Sequence, residues 1–240
     1  MVQADNPDRI KELVTKSLPE GAEAFGMQFC RMKEEYRTPE TYRDLFAFAS
    51  PYPTYVTNYR GEENKGKSDE TLAAELLELA ECGATLCDVM GDYFAPCEGE
   101  LTMDENAVKK QIKFIEELHA RGAEVLMSSH VCKFTAAERV LEIALEHQRR
   151  GADICKIVTK AESMAEQIEN LRTINLLKEN LKIPFLFLCG GECRILRRIG
   201  GTIGSCMNLC VHEHDEFATK VQPLLTDMKK IRDYIQEEKQ

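Results

Sequence analysis

The sequence predicts an α/β protein built as a parallel (βα)8 barrel, and three observations carry that expectation. Apolar runs of strand length alternate with amphipathic stretches of helix length along the whole chain, the pattern of a parallel sheet with right-handed crossovers. Residues 124–160 hold one such unit in its clearest form: Val125-Leu126-Met127 ends in Ser128-Ser129-His130, a helical pattern runs through Val140, Leu141, Ile143 and Ala144 to Gly151, and a second strand follows over 152–158. The length, 240 residues, suits a single domain spanning 1–240 and is close to the usual size of such a barrel.

Taken in order, residues 8–16 form a short helix with Ile10, Leu13 and Val14 on one face, broken by Leu18-Pro19-Glu20-Gly21. A strand is predicted over 22–29, a helix over 39–48, and a strand over 53–59 that ends in Arg60-Gly61. The polar loop 62–67 leads to a helix over 69–81, whose apolar stripe is Leu72, Leu76, Leu77 and Leu79. Strand 85–90 and helix 104–121 precede the central unit; helix 162–180, strand 185–189, short helix 192–199, strand 205–211 and helix 223–238 follow it. That makes seven strands, and the chain opens on a helix where a complete barrel has its first strand. Either residues 1–5 supply a poor strand or the barrel lacks a regular first strand.

Composition narrows the function classes. The 31 basic and 41 acidic residues give a net charge of −10, which argues against nucleic acid or an anionic membrane as partner. An anionic substrate then needs a local basic cluster. Residues 1–12 lack an apolar signal core and no run of about 18 apolar residues occurs, so a cytoplasmic protein is expected. The 10 cysteines form no Cys-x-x-Cys pair and read as small hydrophobes placed mostly in strands.

One residue breaks the apolar pattern of its strand. In Ala152-Asp153-Ile154-Cys155-Lys156-Ile157-Val158 the lysine shares a face with Ile154 and Val158, because side chains alternate with period two. In a parallel barrel that face is the interior, where desolvation disfavours the charged amine. A buried lysine of lowered pKa is a good nucleophile toward a carbonyl and gives a Schiff base. His130, at the C-terminal end of the preceding strand, is a candidate proton-transfer partner.

Ser128-Ser129-His130, followed at this distance by Gly151-Ala152-Asp153-Ile154-Cys155-Lys156-Ile157, resembles the histidine and lysine strands of the type I 3-dehydroquinate dehydratase family. These are the Schiff-base dehydratases of the shikimate pathway. The resemblance spans residues 21–222 and is specific over 124–204. It implies a TIM-type barrel, an imine on Lys156, acid–base work by His130, and no cofactor or metal. The implied substrate is a small oxo acid, 3-dehydroquinate, dehydrated to 3-dehydroshikimate; a homodimer is the expected assembly. Arg60, closing Tyr55-Val56-Thr57-Asn58-Tyr59-Arg60, is similar to the family's strand-end arginine. Arg197, ahead of Gly200-Gly201 and Gly204-Ser205, resembles the arginine that holds the substrate carboxylate, with Arg198 as its rival by one residue. Asp88 resembles an acidic residue of its strand and is expected to orient His130; the family's second acidic residue there falls at Met90.

The departures lie on the substrate side. Where the family has a glutamate and an arginine holding hydroxyls, this chain has Gly26 and Gln28. In the lid the family's serine becomes Ala218, while its glutamine is kept as Gln222. Loss of hydrogen-bonding groups in a site changes specificity by large factors. A related Schiff-base lyase or aldolase acting on another oxo acid is therefore the first alternative, and a non-catalytic barrel kept for binding the second. Cys210-Val211-His212-Glu213-His214-Asp215 has residue types that suit a transition metal without a matching spacing. Gly190-Gly191 and Gly200-Gly201 read as tight turns.

Overall fold

The computed structural model describes residues 1–237. Six parallel strands are hydrogen-bonded in chain order: β1 (Phe25–Gln28), β2 (Thr54–Thr57), β3 (Leu86–Met90), β4 (Glu124–His130), β5 (Ile154–Lys160) and β6 (Phe185–Gly190). Helix α1 (Pro7–Ser17) precedes them. Every crossover carries a helix: α2 (Pro39–Ala49), α3 (Asp69–Glu81), α4 (Glu105–His119), α5 (Ala137–Arg149) and α6 (Met164–Asn180). Helices α7 (Leu196–Ile203) and α8 (Leu225–Glu237) follow β6. The architecture is a TIM-type α/β fold. Helix starts follow local chemistry: Asn6 and Thr38 accept backbone N–H bonds from Arg9 and Thr41, with Pro7 and Pro39 at the first helical positions.

Both ends of the sheet depart from regular strands. Residues 1–5 do supply a poor first strand, reduced to one parallel bridge between Val2 and Met27. The predicted strand 205–211 does not form. Its first residues are tied to β6 instead: Ser205 Oγ accepts from Phe187 N–H at 3.2 Å, and Cys206 N–H donates to the Phe185 carbonyl at 2.8 Å. Asn208 then turns its side chain back to accept from Gly201 N–H at 3.2 Å, a local bond that competes with a strand ladder. Val211 makes an isolated parallel bridge with Leu224. The last helix starts at Leu225, and Glu238, its predicted end, lies outside the described residues.

Contacts divide the chain into two compact units. The first holds Met1–Asp88, Glu117–Glu124 and Leu209–Asp233. Its register pairs Gly26 with Tyr55, Gln28 with Thr57, and Tyr55 with Leu86, so these five residues share one face, with Asp88 two positions beyond Leu86. On the opposite face Met27, Val56 and Cys87 are completely buried. Helix α1 buries Ile10, Leu13 and Val14, α2 buries Tyr42, Leu45 and Phe46, and α3 buries Leu72, Leu76 and Leu79.

The second unit holds Val89–Glu116, Val125–Asn208 and the end of α8 from Tyr234. Its core joins Val140, Ile143 and Ala144 of α5, Cys155 and Ile157 of β5, Ile174 and Leu177 of α6, and Phe185 and Phe187 of β6. Burying each large apolar side chain contributes about 1.5–3 kcal/mol, and together they fix the register of β5. A one-residue slip would turn Lys156 into this core and Ile157 out of it.

Candidate active site

Lys156 sits in the middle of β5 and is 4% exposed. Its Cα partner on β4 is Ser128, and that of Val158 is His130. Cys155 and Ile157 point into the helix-covered core, so Lys156 and His130 both belong to the other face of the same strand pair, two residues apart along it. His130 ends β4 and keeps about a quarter of its side chain exposed.

A carboxylate fixes the ring. Glu100 Oε2 accepts from the His130 backbone N–H at 3.0 Å and from Nδ1 at 2.6 Å. An ionised carboxylate only accepts, so Nδ1 carries the proton and the basic lone pair belongs to Nε2. Glu100 thus occupies Nδ1. Asp88, the residue expected to orient the histidine, is 1% exposed and accepts from the hydroxyls of Tyr55 and Tyr59. Burial, and then the charge of Asp88, push both phenols well above their ordinary value, so they remain protonated donors to it. Tyr55 shares its strand face with Asp88, which makes this a cross-strand contact set by register.

The two arginines differ in surroundings. Arg60 gives Nε and Nη2 to the two oxygens of Asp69, both at 2.7 Å, a bidentate pair with the first residue of α3. Arg60 thus holds a carboxylate of the chain itself. Arg197, the second residue of α7, is 8% exposed, while its rival Arg198 is exposed. Its Nε donates to the Cys189 carbonyl at 2.8 Å, at the end of β6. Burial lowers its pKa from the ordinary arginine value, yet a guanidinium stays charged. No carboxylate among the described residues pairs with it, so a buried cation lacks its counter-charge.

In the first unit, Gln28 Oε1 accepts from Gln3 Nε2, and Gln28 Nε2 lies 3.4 Å from Cys30 Sγ. Gln3 also donates to Thr219 Oγ1 at 2.9 Å and accepts from Thr219 N–H at 2.8 Å. A Cβ on Gly26 would overlap Met1 Sδ and stand 3.1 Å from the Tyr55 ring. Gln222 is buried, and its Oε1 has no hydrogen-bond partner among the described residues.

The model of the type I 3-dehydroquinase family matches residues 31–239. The chain belongs to the type I 3-dehydroquinase family. Solved structures of 3-dehydroquinate dehydratases share its fold. That from Geobacillus kaustophilus has a TM-score of 0.83 at 15% identity, over 98% of this chain and 89% of that one. The type I enzyme from Clostridium difficile gives 0.81 at 15% identity, over 99% and 91%, and that from Enterococcus faecalis 0.74 at 18%, over 99% and 91%. No curated protein matches the chain.

In this dehydroquinase-family chain, the contacts of Glu100 with His130 and of Gln3 with Gln28 are ones that sequence reasoning missed. The acidic pair Glu98 and Glu100, flanking a glycine in the loop after strand β3, was the available signal, since loops at the C-terminal ends of barrel strands carry chemistry. Gln3 offered none, lying in a stretch with no regular pattern. The histidine-rich loop is engaged elsewhere: His212 Nδ1 lies 2.8 Å from Glu20, His214 Nε2 donates to the Gln222 carbonyl at 2.8 Å, and Glu213 and Asp215 both pair with Arg9. Of the 10 cysteines, Cys87, Cys155 and Cys189 lie in strands, fewer than expected. No helix among the described residues is long and apolar enough to cross a membrane.

Proposed function

We propose that the chain is a Schiff-base-forming dehydratase that converts 3-dehydroquinate to 3-dehydroshikimate, a step of the shikimate pathway. The observation that carries this reading is Lys156, buried on the same strand-pair face as a histidine whose Nδ1 is held by Glu100. The Lys156 amine adds to the substrate ketone, and the carbonyl oxygen leaves as water to form an iminium. The iminium draws electrons from the neighbouring C–H bond as His130 Nε2 takes the proton, giving an enamine. His130 then returns the proton to the β-hydroxyl, which departs as water while the enamine electrons form the new double bond. Hydrolysis of the conjugated iminium releases the enone and restores the amine. Arg197, a buried cation with no paired carboxylate among the described residues, is assigned to the substrate carboxylate.

One observation favours a second reading, a related lyase for an oxo acid with other hydroxyls. At the two positions where family members hold hydroxyls, Gln28 is bonded to Gln3 and Cys30, and Met1 fills the space beside Gly26. Turnover followed by the ultraviolet absorbance of the conjugated enone separates the two. A kcat/KM of about 10⁵ M⁻¹s⁻¹ or more on 3-dehydroquinate supports the first reading, and a value far below the ordinary enzyme range supports the second.

A further inference from the structure

Glu100 sits on a loop, yet it must present one carboxylate oxygen to two donors of His130. What fixes that loop is a charged side chain that solvent does not reach. Arg150, the residue that closes α5, has a side chain that is 0% exposed. All its N–H groups have acceptors. Nε donates to Glu146 at 2.7 Å, Nη1 to Gln111 Oε1 at 2.6 Å and to the Gly91 carbonyl at 3.0 Å, and Nη2 to the Thr102 carbonyl at 2.5 Å and toward Met103 Sδ at 3.6 Å. Gly91 and Thr102 are the two ends of the loop that carries Glu100, and Thr102 N–H closes it by donating to Gly91 at 3.2 Å. An apolar side chain would anchor α5 without the desolvation cost of a guanidinium. This one gives its fork to two carbonyls of one loop instead.

A second hold acts on Glu100 itself. Ser129 Oγ donates to the Glu100 carbonyl at 2.7 Å and lies 2.9 Å from Nε2 of His147, a fully buried residue of α5. A Cβ on Gly91 would stand 2.5 Å from the Glu100 carbonyl oxygen, so glycine is required for this approach. Glu100 adopts φ +50, a left-handed conformation that a non-glycine residue keeps only where its surroundings over-determine it.

We propose that Arg150 and Ser129 are positioning residues, a clamp on the loop that keeps Glu100 against His130 and so sets the ring orientation and tautomer used for proton transfer. The kinetic half of the test rests on the Schiff-base reading; the spectroscopic half does not. Proton NMR of the full chain should show a hydrogen-bonded Nδ1–H signal of His130, assigned by its loss in Glu100→Gln and His130→Asn. In folded Arg150→Met that signal disappears. Its kcat falls by roughly 10²-fold, the scale of a small misplacement of a catalytic group, to the level of Glu100→Gln, while the borohydride-trapped adduct still forms. Acting through Glu100, Arg150→Met adds nothing to the loss already caused by Glu100→Gln in the double variant. A merely structural role would lower Tm and leave the signal in place. A persisting signal in folded Arg150→Met, or losses that multiply in the double variant, overturns the proposal. If Arg150→Met does not fold, Ser129→Ala decides by the same signal, and an unchanged signal there also overturns it. Absence of any adduct in the unsubstituted protein removes the Schiff-base reading and leaves the NMR result to judge the clamp.

Discussion

At the scale of single residues, burial gives Lys156 and Arg197 their value. Lysine and arginine are among the side chains least often buried, and both are nearly covered here. Lys156 was legible from the sequence because it interrupts an apolar strand. Arg197 was legible only through its motif, and burial separates it from the exposed Arg198. Glu100 was not legible, because its role depends on a left-handed loop conformation that no local pattern announces. Tyr55 and Tyr59 likewise give no sign in sequence that they converge on Asp88. If Arg197 holds the substrate carboxylate, Arg197→Met loses a charge-assisted hydrogen bond of about 1.5–3 kcal/mol and lowers kcat/KM roughly 10- to 100-fold, chiefly through KM. Steady-state kinetics check this; an unchanged KM removes the assignment.

At the scale of elements, the alternating patterns gave usable strands wherever a continuous apolar run met a helix with its own buried stripe, as in β4, α5 and β5. They misled over 205–211, where Ser205 and Asn208 bond locally and leave only Val211 bridged. Strand β1 shows the consequence of an irregular neighbour. With Val2 making a single bridge to Met27, the Met1 side chain lies where a residue larger than glycine would need room at position 26. Restoring the family's acid by Gly26→Glu should therefore cost about 1–3 kcal/mol of stability through overpacking. Thermal unfolding should register this as a Tm lower by roughly 2–4 °C per kcal/mol. An unchanged Tm would show that Met1 swings aside freely.

At the scale of the whole molecule, family membership and fold agree, while 15–18% identity to the solved dehydratases leaves room for altered substrate contacts. The central claim is covalent chemistry at one lysine. Its most direct measurement is borohydride reduction in the presence of 3-dehydroquinate, followed by peptide mass spectrometry. The account predicts one reduced adduct, on Lys156, enriched in His130→Ala because proton transfer after imine formation is slowed by about 10² to 10⁴, and absent from folded Lys156→Ala. An adduct on Lys160 with Lys156 unmodified, or dehydration that persists in Lys156→Ala, would contradict it.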